Sequence, residues 1–172
     1  MDWPRLWLTL AMVALCGVLG ALLYLGWHRR GKRQTGFPPL PAVPATFGEP
    51  LAPPLTGIYV STTASGRWQE RIVTQTVGRR AKATLELHAD GILVDRVAES
   101  ALWIPQADLV AVGTAPGVAG KVMGLADGIL LITWRWGDTD VDTGVRTDDP
   151  DAQVDWIAAA ARLFRTTPGA TA

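Results

Sequence analysis

The sequence predicts one membrane-spanning helix followed by an all-β domain of about seven antiparallel strands, closed by a single C-terminal helix. Three observations predict it. A charge-free apolar run ends in a basic cluster at residues 29–33. Short alternating apolar runs with turn signals begin at Thr56. After Asp149 the apolar period lengthens from 2 to about 3.6.

The apolar run is LWLTLAMVALCGVLGALLYLGW, Leu6 to Trp27. At about 1.5 Å per residue it is roughly 33 Å long, enough for a hydrocarbon core of about 30 Å. Trp3 and Trp7 mark one end, and Tyr24 and Trp27 the other, at the two headgroup levels. A secretory signal would be shorter and led by positive charge. Here Asp2 and Arg5 nearly cancel, and no small-x-small cleavage site follows. VALC at 13–16 is a poor lipoprotein signal because Leu15 is bulky and the apolar run continues past Cys16. The run therefore reads as an uncleaved anchor.

Beyond the run stand Arg29, Arg30, Lys32 and Arg33. Cytoplasmic flanks are rich in Lys and Arg. Arg outnumbers Lys 13 to 3 and Ala and Gly are abundant, a bias that suggests a GC-rich bacterial genome, so the expected topology is a single pass through a bacterial inner membrane, N-terminus out, with everything after Trp27 cytoplasmic. Within the span, Gly17 and Ala21 have small-xxx-small spacing, as do Cys16 and Gly20, which could pair helices; a lone anchor with incidental small residues is the plainer account.

The expected organisation is an anchor with its basic flank at 1–30, a linker at 31–55, a β domain at 56–166 and a disordered tail at 167–172. The linker region, GKRQTGFPPLPAVPATFGEPLAPPLT, holds seven prolines and reads as an extended, semi-rigid spacer. The run Pro38, Pro39, Pro41 also resembles an adaptor ligand, but a spacer suffices.

Within the domain, GIYVSTT is a first strand. AKATLELHADGILVDR is a hairpin, with Ala83, Leu85 and Leu87 alternating with polar residues before the turn signal Asp90-Gly91. SALWIP and ADLVAVGT are two more strands. GLADGILLITWRWGDTDVDTGVRT is a second hairpin whose Leu130, Ile132, Trp134 and Trp136 share one face. In DDPDAQVDWIAAAARLFR, Asp149 suits the helix cap and Pro150 the first helical position. Asp151 and Asp155 near the start, and Arg162 and Arg165 near the end, match the helix dipole. The expected buried stripe is Val154, Ile157, Ala158, Ala161 and Phe164.

These strings carry a resemblance: GIYVSTT at 57–63, LHADGILVDR at 87–96, DGILLITWRWG at 127–137 and the capped helix from Pro150. In layout the chain resembles the bacterial PH-like single-pass membrane proteins of actinobacteria. The resemblance implies a pleckstrin-homology-like bent barrel or sandwich of seven strands capped by one helix. It implies no catalytic signature.

The residues themselves point away from catalysis. Ser61 and Ser65 lie in no G-x-S-x-G motif, and no P-loop or GxGxxG occurs. His88 reads as a strand histidine on the polar face. One cysteine and two distant histidines offer no metal set, so no metal or cofactor is expected. DTDVD at 138–142 imitates the start of a calcium loop, but Thr143 replaces its glycine and no closing Glu follows. A solvated hairpin edge plus a helix cap accounts for those aspartates.

From Thr56 onward the chain has 11 basic and 14 acidic residues, net −3, which disfavours nucleic acid. Five of the bases, Arg67, Arg71, Arg79, Arg80 and Lys82, cluster between the first two strands. They are the candidate contact for anionic lipid, although the K-x-R arrangement typical of lipid-binding PH domains is missing; a solvated polar loop is the plainer account. Trp68 is read as a barrel plug. Two readings result. One is a non-catalytic, membrane-tethered cytoplasmic interaction module with a protein partner or its own copy. The other is a module that binds anionic lipid or a small ligand through the basic region.

Overall fold

The structure, a computed structural model, describes the backbone of residues 3–34, 37–67, 69–115, 117–118, 121–122 and 128–165. The chain divides into two compact units, Met1–Gly36 and Phe37–Ala172.

The first unit holds helix α1, Trp3–Gln34. Leu10 to Leu22, including Gly17 and Ala21, are exposed, as are Trp7 and Tyr24. The helix continues past the position where the linker was expected to begin. The side chains of Leu6, Trp27, Arg29, Arg30, Lys32 and Arg33 lie outside the described residues. Among the described residues, no helix is long and apolar enough to cross a membrane.

The second unit is built on one seven-stranded antiparallel sheet: β1 (Leu55–Ala64), β2 (Ala81–His88), β3 (Gly91–Arg96), β4 (Leu102–Pro105), β5 (Leu109–Ala115), β8 (Ile129–Trp136) and β9 (Thr139–Thr147). Two short strands, β6 (Gly117–Val118) and β7 (Lys121–Val122), form a separate pair. The order in the sheet is β4-β3-β2-β1-β9-β8-β5. Helix α2, Pro150–Arg165, follows.

Strand β1 belongs to both halves. Leu55 to Tyr59 pair with β2, and Gly57 to Ala64 pair with β9, with a register shift between Tyr59 and Ser61. Gly57 lies between two strands; a Cβ there would stand 2.3 Å from the Arg146 carbonyl oxygen, so only glycine fits. Beyond Tyr59, the edge that β2 vacates is taken by the 65–80 loop. Thr62 N–H donates to the Val77 carbonyl, and Ile72 N–H to that of Thr62.

The β2–β3 turn differs from expectation by one residue. His88 pairs with Gly91, so Ala89 and Asp90 form the loop and Gly91 opens β3. Gly91 is needed for close approach: a Cβ would meet the Ile104 carbonyl oxygen of β4 at 2.3 Å.

The expected inward face of β8 is observed: Leu130, Ile132, Trp134 and Trp136 are all buried in the main core. A directional hydrogen-bond chain crosses that core. Indole N–H is only a donor, so Trp134 Nε1 donates to Thr143 Oγ1 (2.9 Å). Thr143 then donates to Thr62 Oγ1 (2.8 Å), Thr62 to the Tyr59 hydroxyl (2.7 Å), and Tyr59 to the Val77 carbonyl. Each member is satisfied, and the two halves of the sheet are tied to the loop.

Helix α2 is capped as expected: Asp149 Oδ1 accepts from the N–H groups of Asp151 (3.0 Å) and Ala152 (3.1 Å). Its buried face is not the expected one. Gln153, Trp156, Ala160 and Leu163 are buried, whereas Val154 is 64% exposed, Ala158 is exposed, and Ile157 and Ala161 are half-buried. The Phe164 side chain lies outside the described residues. Both stripes have helical spacing; burying the indole removes more apolar surface and turns the helix toward Trp156.

The proline-rich stretch is not a free spacer over most of its length. From Phe37 it forms a strap on the domain. The Phe37 ring stacks on Trp136 with centroids 4.5 Å apart. Phe47 stacks on His88 at 4.7 Å and tilts against Trp103 at 5.3 Å. Leu51 N–H donates to the Leu87 carbonyl (2.8 Å). Ile92 and Val94 belong to the main core, while Leu93 pairs with Trp103, against which Phe47 packs, so all three are buried where a half-solvated strand would alternate.

Candidate functional site

Two of the five predicted cations are paired with acidic residues. Arg67 is held by Glu70 (3.1 Å), an exposed pair. Its turn faces the aspartates of β9: Ser65 N–H donates to the Asp140 carbonyl, and Gly66 N–H to the Asp142 carboxylate. Arg71 bridges to Thr63 through the backbone, and its stem runs over Gly78. Arg79 pairs with Glu99 (3.2 Å). Arg80 and Lys82 are exposed, with no ion pair to a described residue. Trp68, between these residues, lies outside the described residues.

What organises this end is a residue that sequence reasoning missed, Arg96. It closes β3 opposite Ala83 and is only 1% exposed. Its Nε and Nη2 donate to the Ser100 carbonyl (3.0 and 2.7 Å). Its Nη1 donates to the Thr76 carbonyl (3.1 Å) and Nη2 to the Thr76 hydroxyl (3.3 Å). The guanidinium also lies 4.8 Å from the Tyr59 ring centroid, a cation–π distance. The rigid fork of arginine lets one side chain hold two loops. A signal existed: Ile92, Val94 and Arg96 have one parity, so Arg96 was placed on the core face.

Thus the 73–80 and 97–100 loops lie side by side. Val97 N–H donates to the Lys82 carbonyl (2.9 Å), and Val73 and Val97 are 67% and 66% exposed. Exposed valines, Arg80 and Lys82 share this end of the domain.

The loop beneath is strained. Gln75 and Thr76 have φ of 49° and 65°, the left-handed region that non-glycine residues seldom enter. Gln75 uses that geometry to hold the strap. Its Nε2 donates to the Pro38 carbonyl (2.8 Å), and its Oε1 accepts from Leu40 N–H (2.8 Å). Trp136 Nε1 donates to the same Pro38 carbonyl (3.0 Å).

Further buried polar side chains are likewise engaged in structure. His88, expected on the polar face, is 3% exposed because the strap covers it; Nδ1 faces the Gly48 carbonyl (3.0 Å) and Nε2 the Glu86 carboxylate (3.2 Å). Asp142, expected in solvent, is buried and accepts from the Thr133 hydroxyl (2.7 Å). Asp140 pairs with Arg135 (3.0 Å). Burial pushes the Tyr59 phenol up to about 12, against the opposing effects of the Thr62 hydrogen bond and the Arg96 charge. Among the described residues, no group of His, Cys, Asp or Glu could hold a metal ion.

A seven-stranded antiparallel sheet in this order, with the first strand shared between its halves and one C-terminal helix, defines a pleckstrin-homology-like domain. The chain belongs to the bacterial PH domain-like family, whose model matches residues 37–161. That match begins where the strap meets the domain, at Phe37 rather than at the expected boundary of 56. No curated protein matches the chain.

Proposed function

We propose that this protein is a non-catalytic interaction module, tethered to the cytoplasmic face of a bacterial inner membrane by its N-terminal helix. The actinobacterial, single-pass character implied by the sequence resemblance is part of this proposal. The observation that carries the non-catalytic reading is the engagement of the buried titratable side chains. Tyr59, His88, Arg96 and Asp142 are all committed to holding loops or strands together. The tether rests on the uncharged run from Leu6 to Trp27 and the basic flank of Arg29, Arg30, Lys32 and Arg33.

Two experiments test this. A C-terminal alkaline phosphatase fusion, active only in the periplasm, is expected to be inactive; strong activity would reverse the topology. Full-length protein solubilised from membranes is expected to capture a partner or a differently tagged copy of itself. Failure to capture either in repeated crosslinked pulldowns sinks the interaction role.

A second reading, docking on anionic lipid, is favoured by Val73 and Val97 standing exposed beside Arg80 and Lys82. Basic groups near an anionic surface contribute about 1 kcal/mol each, and exposed valines could enter the headgroup layer. Flotation of residues 37–172 with phosphatidylserine vesicles is expected to be weak and salt-sensitive. Equal flotation with phosphatidylcholine vesicles, or none at low salt, removes this reading.

A further inference from the structure

We propose that His88 is a proton-operated latch for the proline-rich strap: the doubly protonated ring fastens the strap at Gly48, and loss of one proton releases it. The latch belongs to the β domain alone and depends on neither the tether nor a partner.

The ring is held between two acceptors. His88 Nδ1 lies 3.0 Å from the Gly48 carbonyl oxygen of the strap, and Nε2 lies 3.2 Å from Glu86 Oε2 on its own strand. A carbonyl oxygen and a carboxylate donate nothing, so both contacts are hydrogen bonds only when both ring nitrogens carry a proton. That form is the imidazolium. A neutral ring has a single N–H to divide between the two. The charged carboxylate is the stronger acceptor, so the remaining proton stays on Nε2. Nδ1 then turns a lone pair on the Gly48 oxygen, and the strap loses that fastening.

The surroundings make this loss felt. His88 is only 3% exposed, so water is poorly placed to replace the missing bond. The Phe47 ring stacks on His88 with centroids 4.7 Å apart, and the Trp103 ring of β4 lies at 6.5 Å. An aromatic face attracts a cation, so Phe47 also holds the imidazolium better than the neutral ring. Glu86 is the charged group that faces the ring from β2. The strap presents the Gly48 carbonyl and the Phe47 ring, β4 presents the Trp103 ring, and Gly91 stands opposite on β3. Glu49 of the strap and Asp90 of the β2–β3 turn are exposed.

This part of the strap is lightly held. Ala42, Val43, Ala45 and Thr46 are exposed ahead of it, and Glu49 and Pro50 within it. From Phe47 to Leu51 it is secured by the Phe47 ring, the His88 bond and the bond from Leu51 N–H to the Leu87 carbonyl (2.8 Å). An element secured by few buried contacts opens locally at low cost. The earlier attachment, at Pro38 and Leu40, uses Gln75 and Trp136, which do not titrate. The latch therefore acts on the later part alone, and its opening uncovers His88 and the Trp103 ring. The fastening is present at low pH and is lost as pH rises.

Amide hydrogen exchange of the full chain in detergent tests this, read as the protection factor of Leu51 N–H, which removes the effect of pH on intrinsic exchange. A model imidazole side chain titrates at about pH 6.5, so measurements at about pH 5.5 and about pH 8 span the change. Leu51 protection is expected to fall about tenfold between them, the effect of one buried hydrogen bond. Ile72 N–H, bonded to the Thr62 carbonyl, is expected to keep its protection. Glu86→Gln is the decisive variant, at a half-buried position that the fold tolerates. Its amide can donate to Nε2, which leaves the one proton of a neutral His88 on Nδ1 and the Gly48 bond intact. Leu51 protection in Glu86→Gln should therefore be the same at both pH values. Equal protection in the wild-type chain at both pH values overturns the latch. So does a fall in Glu86→Gln as large as in the wild type, which would assign the effect to other groups. A parallel fall at Ile72 would place the effect in the stability of the whole domain and overturn the latch as well.

Discussion

Arg96 donates to both the carbonyl and the hydroxyl of Thr76, a β-branched residue held at a φ of 65°. The same guanidinium holds the Ser100 carbonyl of the neighbouring loop. Replacing it with Met should take both side-chain donors from the Ser100 carbonyl, leave the Thr76 carbonyl with Arg79 N–H alone, and release the strained turn. The expected cost is about 3 kcal/mol. Arg96→Lys should recover only part of it, since one ammonium lacks the fork that spans both loops. Urea unfolding of residues 37–172 checks the order; a Met variant of wild-type stability would remove Arg96 from its organising role.

The Tyr59 phenol should make the domain sensitive to alkali. Its folded pKa is about 12 against an ordinary 10, because burial disfavours the phenolate. A raised folded pKa means the contribution is complete below pH 10 and is lost as pH rises from 10 through 12. The unfolded chain has then released a proton that the folded chain retains, so stability falls with pH, by roughly 3 kcal/mol over the window. Tyr59→Phe should cost about 1–2 kcal/mol at neutral pH through loss of the buried bonds to the Thr62 hydroxyl and the Val77 carbonyl, yet flatten this slope. A slope unchanged in Tyr59→Phe would assign it to other groups.

The two buried tryptophans Trp134 and Trp156 should respond differently to the same substitution. Trp134 Nε1 donates to Thr143, whereas Trp156 Nε1 is buried with no partner among the described residues. Trp134→Phe breaks the core chain and should cost about 1–2 kcal/mol more than Trp156→Phe, which removes an unsatisfied donor. Equal losses in thermal unfolding would show that ring volume alone matters.

The face of α2 can be tested by charge. Trp156→Ala should cost about 4 kcal/mol. Val154→Asp should stay within about 0.5 kcal/mol, because Val154 is exposed. Ile157→Asp should fall between them, since Ile157 is half-buried at the margin of the core. A severe Val154→Asp phenotype would restore the stripe expected from sequence.

Ala98 offers a stabilising change. It sits at a φ of 64° in the loop after β3. Left-handed backbone costs an L-residue about 1 kcal/mol, while glycine loses about 0.5 kcal/mol through unfolded-state freedom. Ala98→Gly should therefore raise stability by a few tenths of a kcal/mol, and a fall of 1 kcal/mol in urea unfolding would contradict it.

Much of the frame was legible because it depends on near neighbours. The turn between β8 and β9, the cap at Asp149 and the inward parity of Leu130, Ile132, Trp134 and Trp136 are each set within a few residues. The site was less legible. Five cations close in sequence suggested one patch, but Glu70 and Glu99 hold two of them, and the Glu99 partner lies 20 residues from Arg79. Arg96 was readable in principle from strand parity, yet its partners come from two loops.

Sequence by itself determined the kinds of element and their order: a long N-terminal helix, antiparallel strands, and a capped C-terminal helix. Local periodicity, turn chemistry and capping act over a few residues, so they are written locally. Tertiary structure alone decided which side of α2 faces the core, that Phe37 to Leu51 pack as a strap, and that His88 lies beneath it. Those outcomes depend on contacts such as Trp136 with Pro38, 98 residues apart. Such pairs leave no period in the chain; they are selected by the apolar area and hydrogen bonds that become available only after the sheet has formed.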